Sequence, residues 1–381
     1  MLISADIACR QLPKEGEELC GDAVEIVRDR QGVTVILSDG LGSGVKASIL
    51  ATLTVKVAAG LLRRRVDLHT VLESVADTLP VCQTRGLAYS TLSILRLEET
   101  GQASLVEIGN PGLLLFRGGR PVPVERRTSC IMGKEVAEAK FAVEPGDCLL
   151  LVSDGVIHAG VEALFDLGLG PEGLIEHLPD PCQPARTAIE LARIIIELAE
   201  ACSCGAPRDD ATAVAVKIRA PSRVTVCTGP PVRPADDRRL IQRLLADVAS
   251  QKVVCGGTTG QIVARETGHE LTVEPEYADP AIPPTAEIEG VALATEGILT
   301  LNRCLTILSR PEPEITGADG ASRLARILLE ADEVTFLVGL AQNPAHRDLE
   351  TLAHLLPRDK SVDRLQSILE EMGKRVMVEF F

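Results

Sequence analysis

The stretch Val33–Ala51, VTVILSDGLGSGVKASILA, carries aliphatic and β-branched residues straight into Ser38, Asp39 and Gly40, then through Gly42 and Gly44 into a helix-like run. A strand so uniformly apolar reads as buried on both faces, so a carboxylate at its end needs a reason. The same ending recurs in Asp147–Gly160, DCLLLVSDGVIHAG, at Ser153, Asp154 and Gly155. Two further acidic spots share the grammar: Asp22 in CGDAVEIV, just before a strand, and Asp209 with Asp210 in RDDATAV, opening another. Any one of these is ordinary turn chemistry.

If the four ends converge, the electrostatics become demanding. Two carboxylates about 4 Å apart repel by about 4 kcal/mol at an effective dielectric of 20, so a cluster either takes up protons or holds a cation. Oxygen donors without a nearby His or Cys favour magnesium or manganese over zinc.

Around these motifs, residues 1–219 show short strand-like runs in blocks (GVTVILSD, YSTLSILRLE, ASLVEIG, GLLLFRGG, KFAVEPGDCLLLVSDG, ATAVAVKI) and three amphipathic or apolar helical runs (VKASILATLTVKVAAGLL, DLHTVLESVADTL, ARTAIELARIIIELAEAC). Blocks of strands and helices point to an α+β layered domain and not to regular β-α-β alternation. Prolines at 221, 230, 231 and 234 break the pattern and set a boundary near residue 220. Residues 220–381 then alternate strands and helices as a second, smaller α/β domain. Within it VVCGGTTGQIVAR reads as a strand with a glycine hairpin turn, or as a loop whose backbone amides could hold an anion.

Composition narrows the function. The chain has 381 residues, 45% of them hydrophobic, and a formal charge of -15 from 54 acidic and 39 basic side chains. A phosphate backbone would be repelled, and aromatics at 2% leave no stacking platforms for single strands, so nucleic acid is set aside. The N-terminus lacks the basic flank and apolar core of a signal sequence, and no uninterrupted apolar run reaches a membrane span's length. The expectation is a cytoplasmic protein without membrane contact. Eleven cysteines follow no framework spacing, as in a reducing compartment; Cys202 and Cys204 lack the second pair that a zinc site needs.

The ordered set GD (Gly21, Asp22), SDGLGSGVKA (from Ser38), VSDGV (from Val152) and DDATAV (from Asp209) resembles the metal-dependent serine/threonine phosphatases of the protein phosphatase 2C-like class. Within that class it is most similar to the bacterial stage II sporulation protein E branch. The resemblance implies a β-sandwich flanked by helices, in α-β-β-α layers, over residues 1–219. It implies two manganese or magnesium ions, with Asp22 and Asp39 on the first, Asp39 bridging to the second, the Gly40 carbonyl adding an oxygen, and Asp154 and Asp209 on the second-metal side. Asp22 and Asp39 become the catalytic pair, and hydroxide made on the metals attacks phosphorus in line. The substrate implied is a phosphorylated regulatory protein of anti-anti-sigma type. Asn110–Gly112, NPG, resembles the family's turn between central strands. For the N-terminal arginine that eukaryotic members use to grip phosphate, only Arg10 is available by position.

GLGSGVK is not a phosphate loop, because Val45 separates the glycine from Lys46 and Ala47 follows it. Lys46 therefore reads as a solvated first-turn lysine, with substrate phosphate as its alternative role. His158 reads as structural. A rival to the enzyme is a non-catalytic binding protein with a structural metal site. Residues 220–381 are expected to serve regulation, docking or homo-oligomerisation.

Overall fold

The aliphatic strands of the N-terminal part assemble into two antiparallel sheets. One holds six strands in the order β2 (Asp22–Asp29), β3 (Gly32–Asp39), β4 (Leu92–Glu98), β5 (Gln102–Ile108), β9 (Lys134–Ala142), β8 (Arg127–Ile131). The other holds five: β1 (Ser4–Leu12), β11 (Ala211–Arg219), β10 (Cys148–Val152), β6 (Leu114–Arg117), β7 (Arg120–Val122). The computed structural model describes all residues except 1, 30, 65, 79–89, 132, 162, 275–282, 311–314 and 342–354. Its chain divides into two compact units, Met1–Ala220 and Pro221–Phe381.

Alternation along β3 shows why the first unit is layered. Val33, Val35 and Leu37 pack with Leu149, Leu151, Val214 and Val216 of the facing sheet. Ile36 turns the other way, onto Val55, Ala58 and Ala59 of helix α1 (Gly44–Arg63) and Val71 and Leu72 of α2 (Leu68–Thr78). On the far side, Leu150, Val152, Ala213 and Ala215 pack on Leu191, Ala192 and Ile195 of α5 (Ala188–Cys202). That helix starts on a capping box between Thr187 and Glu190. A strand with apolar residues on both faces is thus accounted for by helices outside and a second sheet inside, the expected α-β-β-α order.

Helix α1 is long and apolar enough to cross a membrane by length and composition, though Lys46 and Lys56 interrupt its apolar run; its small residues Ala47, Ala51, Ala58 and Ala59 are fully buried. Two expectations need correction. KFAVEPGDCLLLV is two strands in different sheets, β9 and β10, parted at Val143–Asp147, where Pro145 has no N–H to give a ladder. VVCGGTTGQIVAR is no hairpin: the strand stops at Cys255 and a helix runs from Gly257 to Thr267.

The second unit is a seven-stranded sheet ordered β14 (Leu271–Val273), β15 (Ala286–Ile288), β16 (Leu293–Thr295), β13 (Gln251–Cys255), β12 (Arg223–Thr228), β17 (Glu333–Val338), β18 (Arg375–Phe380). From β16 to β18 every pairing is parallel. Both faces are covered, as a parallel sheet requires. Cys227, Val254 and Leu337 pack on α6 (Asp237–Ala246) and α7 (Gly257–Thr267). Val224 and Val226 pack on α8 (Ile298–Leu308), α9 (Gly320–Glu330) and α10 (Arg358–Glu371).

Candidate metal centre

Antiparallel pairing sets Asp22 directly opposite Asp39, at the end of the β2–β3 ladder, and opposed residues of such a ladder project from one face. The facing sheet supplies the rest. Val152 pairs with Ala213, so Asp154, the first residue of the short helix α3 (Asp154–Ile157), and Asp209 and Asp210, which lead into β11, lie at matching strand ends. Gln11 ties the two sheets together, its Nε2 donating to Asp22 O at 3.1 Å and to Thr212 Oγ1 at 3.2 Å.

The glycine after each Ser-Asp is required by close approach. A β-carbon on Gly40 would stand 2.2 Å from Ala47 O, in the first turn of α1, and one on Gly155 would stand 2.2 Å from Asp210 O. A larger residue would force the helix away from Asp39, or Asp210 away from Asp154. The backbone of Asp39 is held from the side by Thr91. Thr91 N donates to Asp39 O at 2.9 Å, and Asp39 N donates to Thr91 Oγ1 at 3.1 Å. Ser90 Oγ adds a bond to Asp39 O at 3.0 Å, and Asn110 of the NPG turn accepts from Thr91 Oγ1 while its own Nδ2 donates to Ser93 Oγ at 2.9 Å.

Negative charge is concentrated here against solvation. Burial, then the carboxylates of Asp22, Asp154 and Asp209, push Asp39 up to about 9. Burial raises Asp22 to about 7, with Asp210 and Asp154 adding to the rise and the Thr212 and Ser153 hydroxyls tempering it. Ser153 Oγ accepts from Thr212 N at 2.8 Å and donates to Asp210 O at 3.5 Å, and Thr212 Oγ1 accepts from Gln11 Nε2. Asp22 is 4% exposed with no partner within hydrogen-bond distance of either carboxylate oxygen, and Asp210 Oδ2 shares that condition. Asp209 is raised as well, by burial and by Asp154.

Orphaned, buried carboxylate oxygens beside several more carboxylates fit a hard divalent cation. Among the described residues no three acidic, His or Cys side chains stand at ligand spacing about one point; what joins them is that each carboxylate makes its neighbours harder to ionise. The structure thus brings Asp22, Asp39, Asp154 and Asp209 into one electrostatic group. Gly40 follows Asp39 and bridges to Ser90. Lys46 is exposed on the first turn of α1, and among the described residues no hydrogen bond or ion pair ties it to the carboxylates.

Thr212 and Thr91 escaped the sequence reading, and Asp210 and Ser153 were named there without a role of their own. Asp210 is 2% exposed and accepts from Lys14 N at 3.0 Å through Oδ1; the doubled Asp was visible, but not which of the two would turn inward. Thr212 lies two residues beyond Asp210, on the same side of the strand by alternation. Thr91 had no distinguishing signal. His158 lines a cavity of about 610 Å³ shared with Gly155, Arg208 and Asp209, beside the carboxylates. Cys202 and Cys204 part company: the first is buried and the second exposed.

No curated protein matches the chain in sequence. Among solved structures, the RsbU and RsbW domains of a Mycobacterium tuberculosis protein align at 20% identity and a TM-score of 0.50, over 64% of this chain and 69% of that one. The phosphatase domain of SpoIIE from Bacillus subtilis aligns at 18% identity and a TM-score of 0.43, over 57% and 93%. The serine/threonine phosphatase PstP of Mycobacterium tuberculosis aligns at 19% and 0.40, over 57% and 99%. The family model of stage II sporulation protein E matches residues 29–219, which span β3 and three of the carboxylate positions, and the chain belongs to that family.

Proposed function

We propose that the chain is a manganese- or magnesium-dependent serine/threonine protein phosphatase acting on a phosphorylated regulatory protein in the cytoplasm. The observation that carries this reading is Asp22: a buried carboxylate, unpaired at both oxygens, facing Asp39 across the ladder and coupled to Asp154 and Asp210 from the other sheet. Two divalent cations on Asp22, Asp39, Asp154 and Asp209, with the Gly40 carbonyl, would supply a nucleophile from water and neutralise charge at phosphorus.

The chain's own residues hold the geometry. Gln11 keeps the two carboxylate pairs at a fixed separation, Thr91 and Ser90 fix the Asp39 backbone, and Gly155 lets Asp210 close on Asp154. The cavity beside Asp209, with its His158 and Arg208, gives room for the residue next to the phosphorylated one. A regulatory partner is supported by the fold match in which an RsbU domain shares a chain with an RsbW domain. The second unit then serves regulation, docking or self-association.

Hydrolysis of a chromogenic phosphomonoester and of phosphoserine peptides, with manganese and then with chelator, tests the reading. Metal-dependent release of phosphate supports it. A folded, metal-loaded chain that releases none from either substrate would leave the non-catalytic binding protein as the answer.

A further inference from the structure

At the carboxyl edge of the second unit's sheet, adjacent parallel strands run out into glycine: Gly229 after β12, Gly256 after β13, Gly339 after β17, and Gly297 just beyond β16. These glycines crowd together. A β-carbon on Gly256 would stand 3.9 Å from Gly229 N, one on Gly297 3.3 Å from Gly256 Cα, and one on Gly339 2.3 Å from Gly229 O. The chain builds outward from β12 through β13 to β16, then returns to the other side with β17 and β18. Open parallel sheets take ligands in the crevice at such a reversal.

Helix α7 starts at this edge. Its N-cap, Gly256, has no side chain to offer, and Gly257 and Thr258 are exposed. First-turn amides lack intrahelical acceptors and carry the positive end of the helix dipole. The two helices that follow meet that need from within the chain. Glu296 accepts from Leu299 N at 2.9 Å at the start of α8, and Asp319 accepts from Ala321 N and Ser322 N at the start of α9. No side-chain cap serves α7.

Two buried hydroxyls give an independent sign. Thr259, in that first turn, is 0% exposed; its Oγ1 has no hydrogen-bond partner and lies 2.9 Å from where a β-carbon on Gly256 would stand. Thr228, the last residue of β12, is equally buried, with an Oγ1 equally unpartnered. Arg358 brings positive charge to the same edge, its Nη1 donating to Gly339 O at 2.9 Å beside Gly229. The glycines keep the backbone open to close approach.

We propose that this edge binds the phosphate group of a small molecule, free phosphate or a nucleotide, on the amides of Gly257, Thr258 and Thr259 and the Thr259 hydroxyl. The proposal is independent of the chemistry assigned to the first unit. The Glu296 carboxylate accepts from Leu299 N at the start of its own helix.

Calorimetric titration of the full chain, stripped of metal so that no cation in the first unit holds the probe, tests it with inorganic phosphate, AMP and ADP in separate arms. Saturable binding of at least one is expected, and the arm that binds identifies the source. Gly257→Asp puts a carboxylate where a β-carbon meets open space; it should weaken binding by about tenfold or more while keeping or raising Tm, because an acid suits that end of a helix. Thr259→Val removes a hydroxyl that has no partner in the free chain, so binding should weaken by about tenfold with no fall in Tm. Failure of all three probes to bind, or binding that neither substitution weakens, overturns the proposal.

Discussion

Both units end buried strands on glycine, yet the two edges are built to opposite electrostatic signs. In the first, Gly40 and Gly155 let Asp39, Asp154 and Asp210 crowd together until burial and mutual repulsion raise the pKa values of Asp39 and Asp22. In the second, Gly229, Gly256 and Gly297 bring backbone amides and threonine hydroxyls together with no acid capping α7. The same permissive residue thus makes a cation site when acids flank it and an anion site when a helix start does. The flanking residues decide the ligand, and the glycine decides only how closely it is approached.

The comparison breaks most sharply at Asp39. Asp39→Asn removes one charge from the crowded edge while keeping its shape, so the rate of phosphoester hydrolysis should fall by about 10²-fold or more and manganese affinity should fall with it. The fold should survive, with the metal-free Tm unchanged near neutral pH, where Asp39 already carries a proton. Unchanged turnover and unchanged manganese affinity together would remove Asp39 from the site.

A smaller effect tests the glycine's part. Gly155→Ala places a β-carbon 2.2 Å from Asp210 O, an overpacking that should cost about 1–3 kcal/mol in chemical denaturation. Gly257→Ala in the second unit meets open space and should be neutral or stabilising. Equal effects at the two positions would show that close approach is not what Gly155 provides.

Titration sharpens the contrast further. Without metal, Asp22 and Asp39 keep protons in the folded chain at pH values where the unfolded chain has lost them. Their contribution to stability is therefore complete below about pH 4 and is lost as pH rises through about 7 for Asp22 and about 9 for Asp39. Melting of chelator-treated protein should fall by a few degrees between weakly acid and alkaline pH, and manganese should abolish the slope. A metal-free chain whose Tm climbs over that range would contradict the assigned acidities.

Thr91→Val removes a side-chain bond to the Asp39 amide and should cost about 1 kcal/mol, with a rise in the metal concentration needed for half-maximal activity. The smallest effect expected is that of ending the chain at Ala220. All the carboxylates precede it, so hydrolysis of a small phosphoester should persist, while recognition or regulation by a protein partner changes. Loss of small-ester hydrolysis in a folded, metal-loaded truncation would mean that the second unit completes the site.

Sequence alone carried the first unit far, because its strands are apolar enough to be unmistakable and its acids sit beside glycines in a fixed order. Which acid of Asp209 and Asp210 turns inward was not legible, since that depends on where β11 begins. Thr91 was invisible because its role is to bond a backbone some fifty residues away in the chain. In the second unit, parallel strands such as Arg223–Thr228 and Glu333–Val338 stood out, whereas α7 hid behind a start of Gly, Thr, Thr and Gly, residues of poor helix propensity. Helix α8 was also missed; its run ILTLNRCLTIL is so apolar that the period blurs.

The β2–β3 ladder has a mechanical implication. Asp22 meets Asp39 because eight consecutive pairs are counted off from Asp29↔Gly32 at the other end. A slip of one residue would turn Asp22 to the opposite face, so the tight turn at Gly32 acts as the zero mark of a ruler whose last division is a ligand. Gly32 is locked there: its φ is +148° and a β-carbon would stand 1.9 Å from Leu97 O. Inserting one residue in that turn, remote from every proposed ligand, should erase cation binding as thoroughly as removing the acid itself.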